Sequence, residues 1–166
     1  VPEILRIYAL KTGAAFEVAL LAGMRLAGPM PSWWKLIRQF ARAFGIAFQI
    51  QNDCQDWKGQ EHNKLRLGTD AVALRPTVFS ALAWHAAPGE FATLIEGCQS
   101  TERSHHDDIA KRFQEFFQKH GLFKTAEEML KLERTRALEA AEKVPHDELR
   151  LFLRYLTESA IRPTIE

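Results

Sequence analysis

Residues 44–56 read FGIAFQIQNDCQD, and this stretch carries the strongest structural information in the chain. At 100° per residue it predicts a helix with one small and polar stripe. The stripe comprises Gly45, Gln49, Asn52, Asp53 and Asp56, and Gln60 continues it if the helix extends that far. The rest of the circumference is apolar in the N-terminal part, which is typical of a helix buried among other helices. We therefore expect the carboxylates to emerge from a buried helix, inside or at the mouth of a cavity.

Asp53 and Asp56 lie three residues apart, with no Lys or Arg on the same helix face. Their side chains project side by side and repel each other, so a cation is expected between them. Mg²⁺ takes oxygen ligands and commonly shares them between one or two carboxylates and a substrate phosphate. A solvated helix end is the commoner explanation of an isolated D-x-x-D pattern. The apolar helix leading into these acids favours a functional site, because burying charge without a function is unfavourable.

Three blocks of sequence resemble the trans (head-to-tail) isoprenyl diphosphate synthases, the polyprenyl synthetase family. FGIAFQIQNDCQD is similar to the second aspartate-rich helix of that family, G-x-x-F-Q-x-x-D-D-x-x-D. Upstream, KTG at 11–13 matches the family's Lys-Thr helix; downstream, GTD at 68–70 followed by RPT at 75–77 matches its G-x-D…K-x-T segment. The order and spacing of the blocks agree with the family from Ile4 to about Leu82.

The resemblance implies an all-α fold, the C-terminal half of an isoprenoid-synthase-type helical bundle. It implies condensation of an allylic diphosphate with isopentenyl diphosphate, in which the prenyl group is transferred and pyrophosphate leaves, with Mg²⁺ as cofactor. The implied metal ligands are Asn52, Asp53 and Asp56. The implied diphosphate-binding residues are Lys11, Lys64 and Arg75. Thr12 and Gln49 would line the site of the allylic cation, beside Lys11.

The sequence departs from the family pattern at several points. Asn52 stands in place of the first aspartate of the second motif, which keeps an oxygen ligand but removes a charge. Arg75 stands in place of lysine and is a wider, planar donor. Lys64 is one residue out of position. The first aspartate-rich motif is absent, so we expect this chain to be inactive alone and to need the N-terminal half of the same protein or a partner subunit. The family is usually homodimeric.

Two other functions agree with part of the pattern. A class I terpene cyclase often carries Asn at the position of Asn52, but the following positions of its metal motif hold Asp56 and Gln60 here, with Glu61 one residue out of phase. A non-catalytic helical partner subunit of a prenyl synthase would explain the altered motif and the short chain.

The composition is that of an ordinary globular domain. The 166 residues have a formal net charge of +1 and show no basic stripe, which argues against nucleic acid as the main partner. No apolar run is long enough to span a bilayer. Two cysteines do not indicate a disulfide framework, and a reducing cytoplasm fits best.

Capping and breaking signals divide the chain into about seven helices within a single domain over residues 1–166. The expected helices span 3–27, from Ser32 to the acidic stripe, 77–86 with Pro76 in its first turn, 90–99 after a break at Pro88-Gly89, from Ser104 to Gly121, 122–143 and 147–161. Phe113, Phe117, Phe152 and Leu153 are expected to pack in the core. Gly45 would allow either close approach of a second helix or space for a ligand chain.

Overall fold

The computed structural model describes residues 1–58, 66–99 and 105–162. These residues form nine α-helices and one π-helical turn and contain no strand, which confirms the all-α prediction. The elements are α1 (Pro2–Tyr8), a π turn (Ala9–Gly13), α2 (Ala14–Ala27), α3 (Trp34–Gln55), α4 (Thr69–Val72), α5 (Val78–Ala86), α6 (Pro88–Gln99), α7 (His106–Lys119), α8 (Leu122–Glu142) and α9 (Asp147–Ala160). In the described part of the chain, no helix has the length and apolar character needed to cross a membrane.

The first predicted helix is interrupted by the π turn. The Ala14 amide donates to the Ala9 carbonyl, five residues back, instead of to the carbonyl four residues back. A π turn closes a larger ring than an α turn and is often found at functional sites. Periodicity alone did not predict it, because a single extra residue hardly changes the apolar pattern.

The long helix α3 is buried as predicted, with Ile37, Phe40, Phe44 and Ile50 fully inaccessible. The sequence places the start of this helix at Ser32, with Ser32 as a good N-cap, but the helix begins two residues later. The Trp34 amide donates to the Pro31 carbonyl, so Ser32 and Trp33 form a turn and the helix begins at Trp34.

The described residues cluster in two compact units, and the division falls within α3. One unit comprises Val1–Ile4 and Asn52–Ala126, and its core is an aromatic cluster of Trp57, Phe79, Phe91, Phe113 and Phe117. The other comprises Leu5–Gln51 and the chain from Glu127 onward, and its core includes Phe44, Leu130 and Leu153. Phe152 was expected in the core but is 50% exposed, because it lies beside Leu151 and Tyr155 on the outer face of α9.

Several helix boundaries differ from the predicted ones. Helix α5 begins at Val78 and has Thr77 as its N-cap. Pro76 therefore lies before the helix and not in its first turn. Pro88 begins α6 instead of breaking the chain before it, since proline is well tolerated at the first helical position. Ser104, where the sequence places the start of α7, lies outside the described residues. Gly121 ends α7 with a φ of 66°, as predicted for a glycine just past a helix.

Candidate functional site

The predicted polar stripe occupies the C-terminal end of α3. Asn52 is exposed, Asp53 is only 7% exposed, and Asp56 is half-buried in the turn after the helix. The two carboxylates therefore differ in burial, although their spacing in the sequence predicts a pair of equivalent side chains.

Asp53 holds the start of α5. Its Oδ2 accepts the Val78 amide at 2.8 Å, a buried hydrogen bond between residues 25 positions apart. Thr77 and Ser80 complete this helix start as a capping box, with each side chain bonded to the other's backbone amide. An amide of the first helical turn has no partner within its own helix, so a carboxylate there is stabilising. Asp53 thus fixes the RPT segment against the end of α3.

Asp56 holds the GTD segment. Its Oδ2 accepts the Asp70 amide at 3.0 Å, and its carbonyl accepts the Gly68 amide at 2.9 Å. Gly68 adopts a φ of 63°, and a Cβ there would lie 2.5 Å from the Trp57 ring, so both conformation and space require glycine. Burial raises the pKa of Asp56 above its ordinary value; the Asp70 amide opposes this rise, while the nearby Asp70 carboxylate adds to it.

Arg75 is also engaged within this segment. Its guanidinium donates to Asp70 Oδ1 at 2.9 Å, and its amide donates to the Asp70 carbonyl at 2.9 Å. The side chain is 67% exposed, so the ion pair is screened and the guanidinium can exchange partners. Two of the three sequence blocks, the aspartate motif and the GTD…RPT segment, are therefore joined by direct hydrogen bonds.

A cleft of about 280 Å³ opens beside these groups. Its lining includes the amide of Asn52, the carboxylates of Asp56 and Asp70, and two cations, Lys58 and Arg66. Sequence reasoning did not single out Lys58 or Arg66, because both lie in a polar stretch that also fits a solvated loop. Lys64 and Gln60 of the same stretch lie outside the described residues.

The residues of this cleft suit a metal ion that is coordinated jointly by the protein and a substrate phosphate, better than one coordinated by protein side chains alone. Within residues 1–58, 66–99 and 105–162, no three His, Cys, Asp or Glu side chains are grouped so that they could hold a metal ion. Asn52 and Asp56 lie four residues apart and line the same cleft. One carboxylate and one amide oxygen are sufficient for Mg²⁺ when phosphate and water supply the other ligands.

The remaining predicted site residues belong to the other compact unit. Lys11 is exposed and Thr12 half-buried, both in the π turn, and Gln49 is half-buried on α3. Gly45 packs directly against the backbone of Gly13. Of the two uses left open for this glycine, close helix approach is therefore the one that the structure contains.

Gln51 is a further buried polar residue that sequence reasoning missed. Its Nε2 donates to the Ala160 carbonyl at 2.7 Å, and its Oε1 accepts the Arg162 amide at 2.6 Å. The only signal in the sequence was its position inside an apolar helix, where a side-chain amide must find partners. Gln51 thereby ties the segment after α9 to α3.

Comparison with protein families adds independent information. The model of the polyprenyl synthetase family matches residues 1–116. A search among curated protein sequences gives no significant match.

Three similar solved structures are a polyprenyl synthetase from Streptomyces coelicolor, a decaprenyl diphosphate synthase from Rhodobacter capsulatus and a geranylgeranyl pyrophosphate synthase from Lactobacillus brevis. Their TM-scores are 0.82, 0.79 and 0.78, at sequence identities of 19%, 23% and 21%. They cover 97%, 98% and 98% of this chain, but only 50%, 50% and 51% of their own. The fold is thus that of these synthases, and this chain spans about half their length.

Proposed function

Because the chain belongs to the polyprenyl synthetase family, we propose that it is part of a Mg²⁺-dependent prenyltransferase that condenses an allylic diphosphate with isopentenyl diphosphate. The first aspartate-rich motif would come from the N-terminal half of the same protein or from a partner subunit. This chain alone would then bind diphosphate without completing the reaction.

The cleft beside Asp56 is the observation that carries this proposal. It brings together Asn52 and Asp56, whose side-chain oxygens would bind the metal ion, with the cationic side chains of Lys58 and Arg66. Mg²⁺ held there would neutralise the negative charge that develops on the departing diphosphate. Asp53 would support these ligands instead of binding the metal itself, since its Oδ2 already accepts the Val78 amide.

The other residues have roles taken from the family pattern. Lys11 and Arg75 would bind the diphosphate, and Lys64 would approach it from the adjoining stretch. Arg75 would exchange its exposed ion pair with Asp70 for the substrate. Thr12 and Gln49 would present oxygen dipoles to the allylic cation, which would have to be protected from water.

Turnover of isopentenyl diphosphate tests the proposal. The protein at its natural length is incubated with Mg²⁺, labelled isopentenyl diphosphate and a series of allylic diphosphates, and prenyl products are measured. Asp56→Asn retains an acceptor for the Asp70 amide but removes the charge. We expect this variant to lose about 100-fold in kcat/KM, as for other groups that stabilise developing charge.

Asp108→Asn is the matched control, since Asp108 is an exposed acid at the start of α7. It should retain full activity. Absence of condensation with every allylic diphosphate would refute the proposed reaction, and a cyclic hydrocarbon formed without isopentenyl diphosphate would indicate a terpene cyclase instead.

One observation favours a second candidate, a non-catalytic partner subunit of a prenyl synthase. Both aspartates of the motif accept backbone amides, so they serve the fold even without a metal. A ligand that binds the folded state raises its melting temperature. If Mg²⁺ with pyrophosphate raises the melting temperature of the full-length protein, the catalytic proposal is supported; no rise would favour the partner subunit.

Assembly as a homodimer remains a prediction from the family resemblance, and residence in the cytoplasm remains a prediction from the cysteine content. Gel filtration with light scattering tests the first, and cell fractionation tests the second.

A further inference from the structure

The π turn that carries Lys11 and Thr12 lies against α3 at an unusually close crossing. A Cβ built on Gly45 would lie 2.4 Å from the Gly13 nitrogen and 2.5 Å from the Gly13 Cα. A Cβ built on Gly13 would lie 3.2 Å from the Ala41 carbonyl oxygen and 3.2 Å from the Arg42 Cα. The two backbones therefore touch with no side chain between them.

Small residues four apart make this approach possible on both sides. Ala9 and Gly13 are buried on the π turn, and Ala41 and Gly45 are buried on α3. The Gly13 dihedral angles, φ −58° and ψ −43°, are ordinary helical values. Neither this residue nor Gly45 has a positive φ, so glycine is required at the crossing for space and not for conformation.

The crossing determines where Lys11 lies. To restore an ordinary contact of 3.4 Å after Gly45→Ala, the two backbones must separate by about 1 Å. Backbone atoms cannot rotate away as a flexible side chain can, so the whole π turn moves. Lys11, two residues before Gly13, moves with it relative to Gln49, one helical turn beyond Gly45 on α3.

We propose that Gly13 and Gly45 are positioning residues, which set the π turn so that Lys11 and Thr12 meet the allylic diphosphate in the reactive geometry. This inference rests on the proposed prenyl transfer and adds residues that touch no substrate themselves. A misplacement of about 1 Å is enough to lower the rate by up to about 100-fold.

Three glycine variants of the full-length protein form a graded series. Gly23→Ala, on the same helical segment with nothing within 4 Å of its Cβ, is the matched control and should leave kcat/KM unchanged. Gly13→Ala requires a shift of a few tenths of an ångström and should lower kcat/KM for the allylic diphosphate by about threefold. Gly45→Ala requires the largest shift and should lower it by about 10- to 100-fold.

A double-mutant cycle distinguishes positioning from general damage to the fold. If Gly45 acts by placing Lys11 and Thr12, the effect of Gly45→Ala on kcat/KM should be markedly smaller in a Lys11→Met background. A merely structural role predicts that kcat/KM falls by the same factor in both backgrounds. If Gly45→Ala does not fold, Gly13→Ala is used in its place in the cycle.

An equal factor of decrease in kcat/KM in the two backgrounds, or full activity of Gly45→Ala, would overturn the positioning role while leaving the proposed function intact. A crystal structure of Gly45→Ala with an unmoved π turn would overturn it as well. If the unmodified full-length protein neither binds nor turns over allylic diphosphate, the proposed function fails first, and the positioning role fails with it.

Discussion

Near its middle, α3 meets the π turn through glycine and alanine backbones, whereas at its C-terminal end it binds the 68–78 segment through carboxylates. The first contact is a van der Waals contact between Gly45 and Gly13. The second consists of hydrogen bonds from the Val78 and Asp70 amides to Asp53 and Asp56. One helix therefore positions two of the sequence blocks by two different kinds of interaction.

The difference predicts which substitutions each end of the helix tolerates. Close packing responds to added volume and carries no dependence on protonation. A hydrogen bond to a buried amide responds instead to loss of the acceptor, and an isosteric acceptor preserves it. The following substitutions test this contrast, in order of decreasing effect on stability.

Gly45→Ala should have the largest effect. The added methyl group meets backbone atoms of Gly13 at 2.4 and 2.5 Å, and overpacking of this kind lowers the free energy of unfolding by about 3 kcal/mol. Urea denaturation at pH 6 and pH 8 should give the same loss at both values. Gly23→Ala, in open space, should instead raise stability by about 0.5 kcal/mol. A loss that depended on pH would contradict the packing explanation.

Asp53→Ala should lower the free energy of unfolding by about 2 kcal/mol, since the Val78 amide would stay buried without an acceptor. Asp53→Asn keeps an oxygen at the same position and should lose less than half as much in urea denaturation. Equal losses for Ala and Asn would show that charge, and not the hydrogen bond, holds the start of α5.

Thr77→Ala should lower the free energy of unfolding by about 1 kcal/mol, because it removes the N-cap of α5 and half of its capping box. Thr135→Ala is the control: Thr135 is exposed within α8 and donates only to the Lys131 carbonyl. Thermal denaturation should show a lower melting temperature for the first variant alone, and a matching decrease in both would argue against a specific capping effect.

Glu90→Gln should have the smallest effect, visible only as a change in pH dependence. The hydrogen bond and charge of Lys119 lower the pKa of Glu90, whose side chain is 56% exposed. Stability from this pair is therefore complete above the ordinary pKa of glutamate and is lost as the pH falls through the lowered value. The melting temperature of wild type should exceed that of Glu90→Gln at neutral pH and converge with it in acid. A constant difference across the range would refute the assignment.

Much of the fold was predictable from local signals. The helical ranges of α8 and α9, the glycine at the end of α7 and the burial of α3 follow from periodicity and capping residues, which act within a few positions of the chain. Errors arose at Ser32, Pro76 and Pro88, where more than one turn or helix start was compatible with the same residues.

The candidate site was predictable in composition but not in geometry. The sequence determined by itself which residues form the three blocks, because the order of residues along a helix sets which of them share a face. Only the tertiary structure decided that Asp53 binds Val78, that Asp56 binds Asp70 and that Gly45 touches Gly13. Those partners lie 25, 14 and 32 positions apart, respectively, and contacts over such distances arise only when the chain packs its apolar faces together.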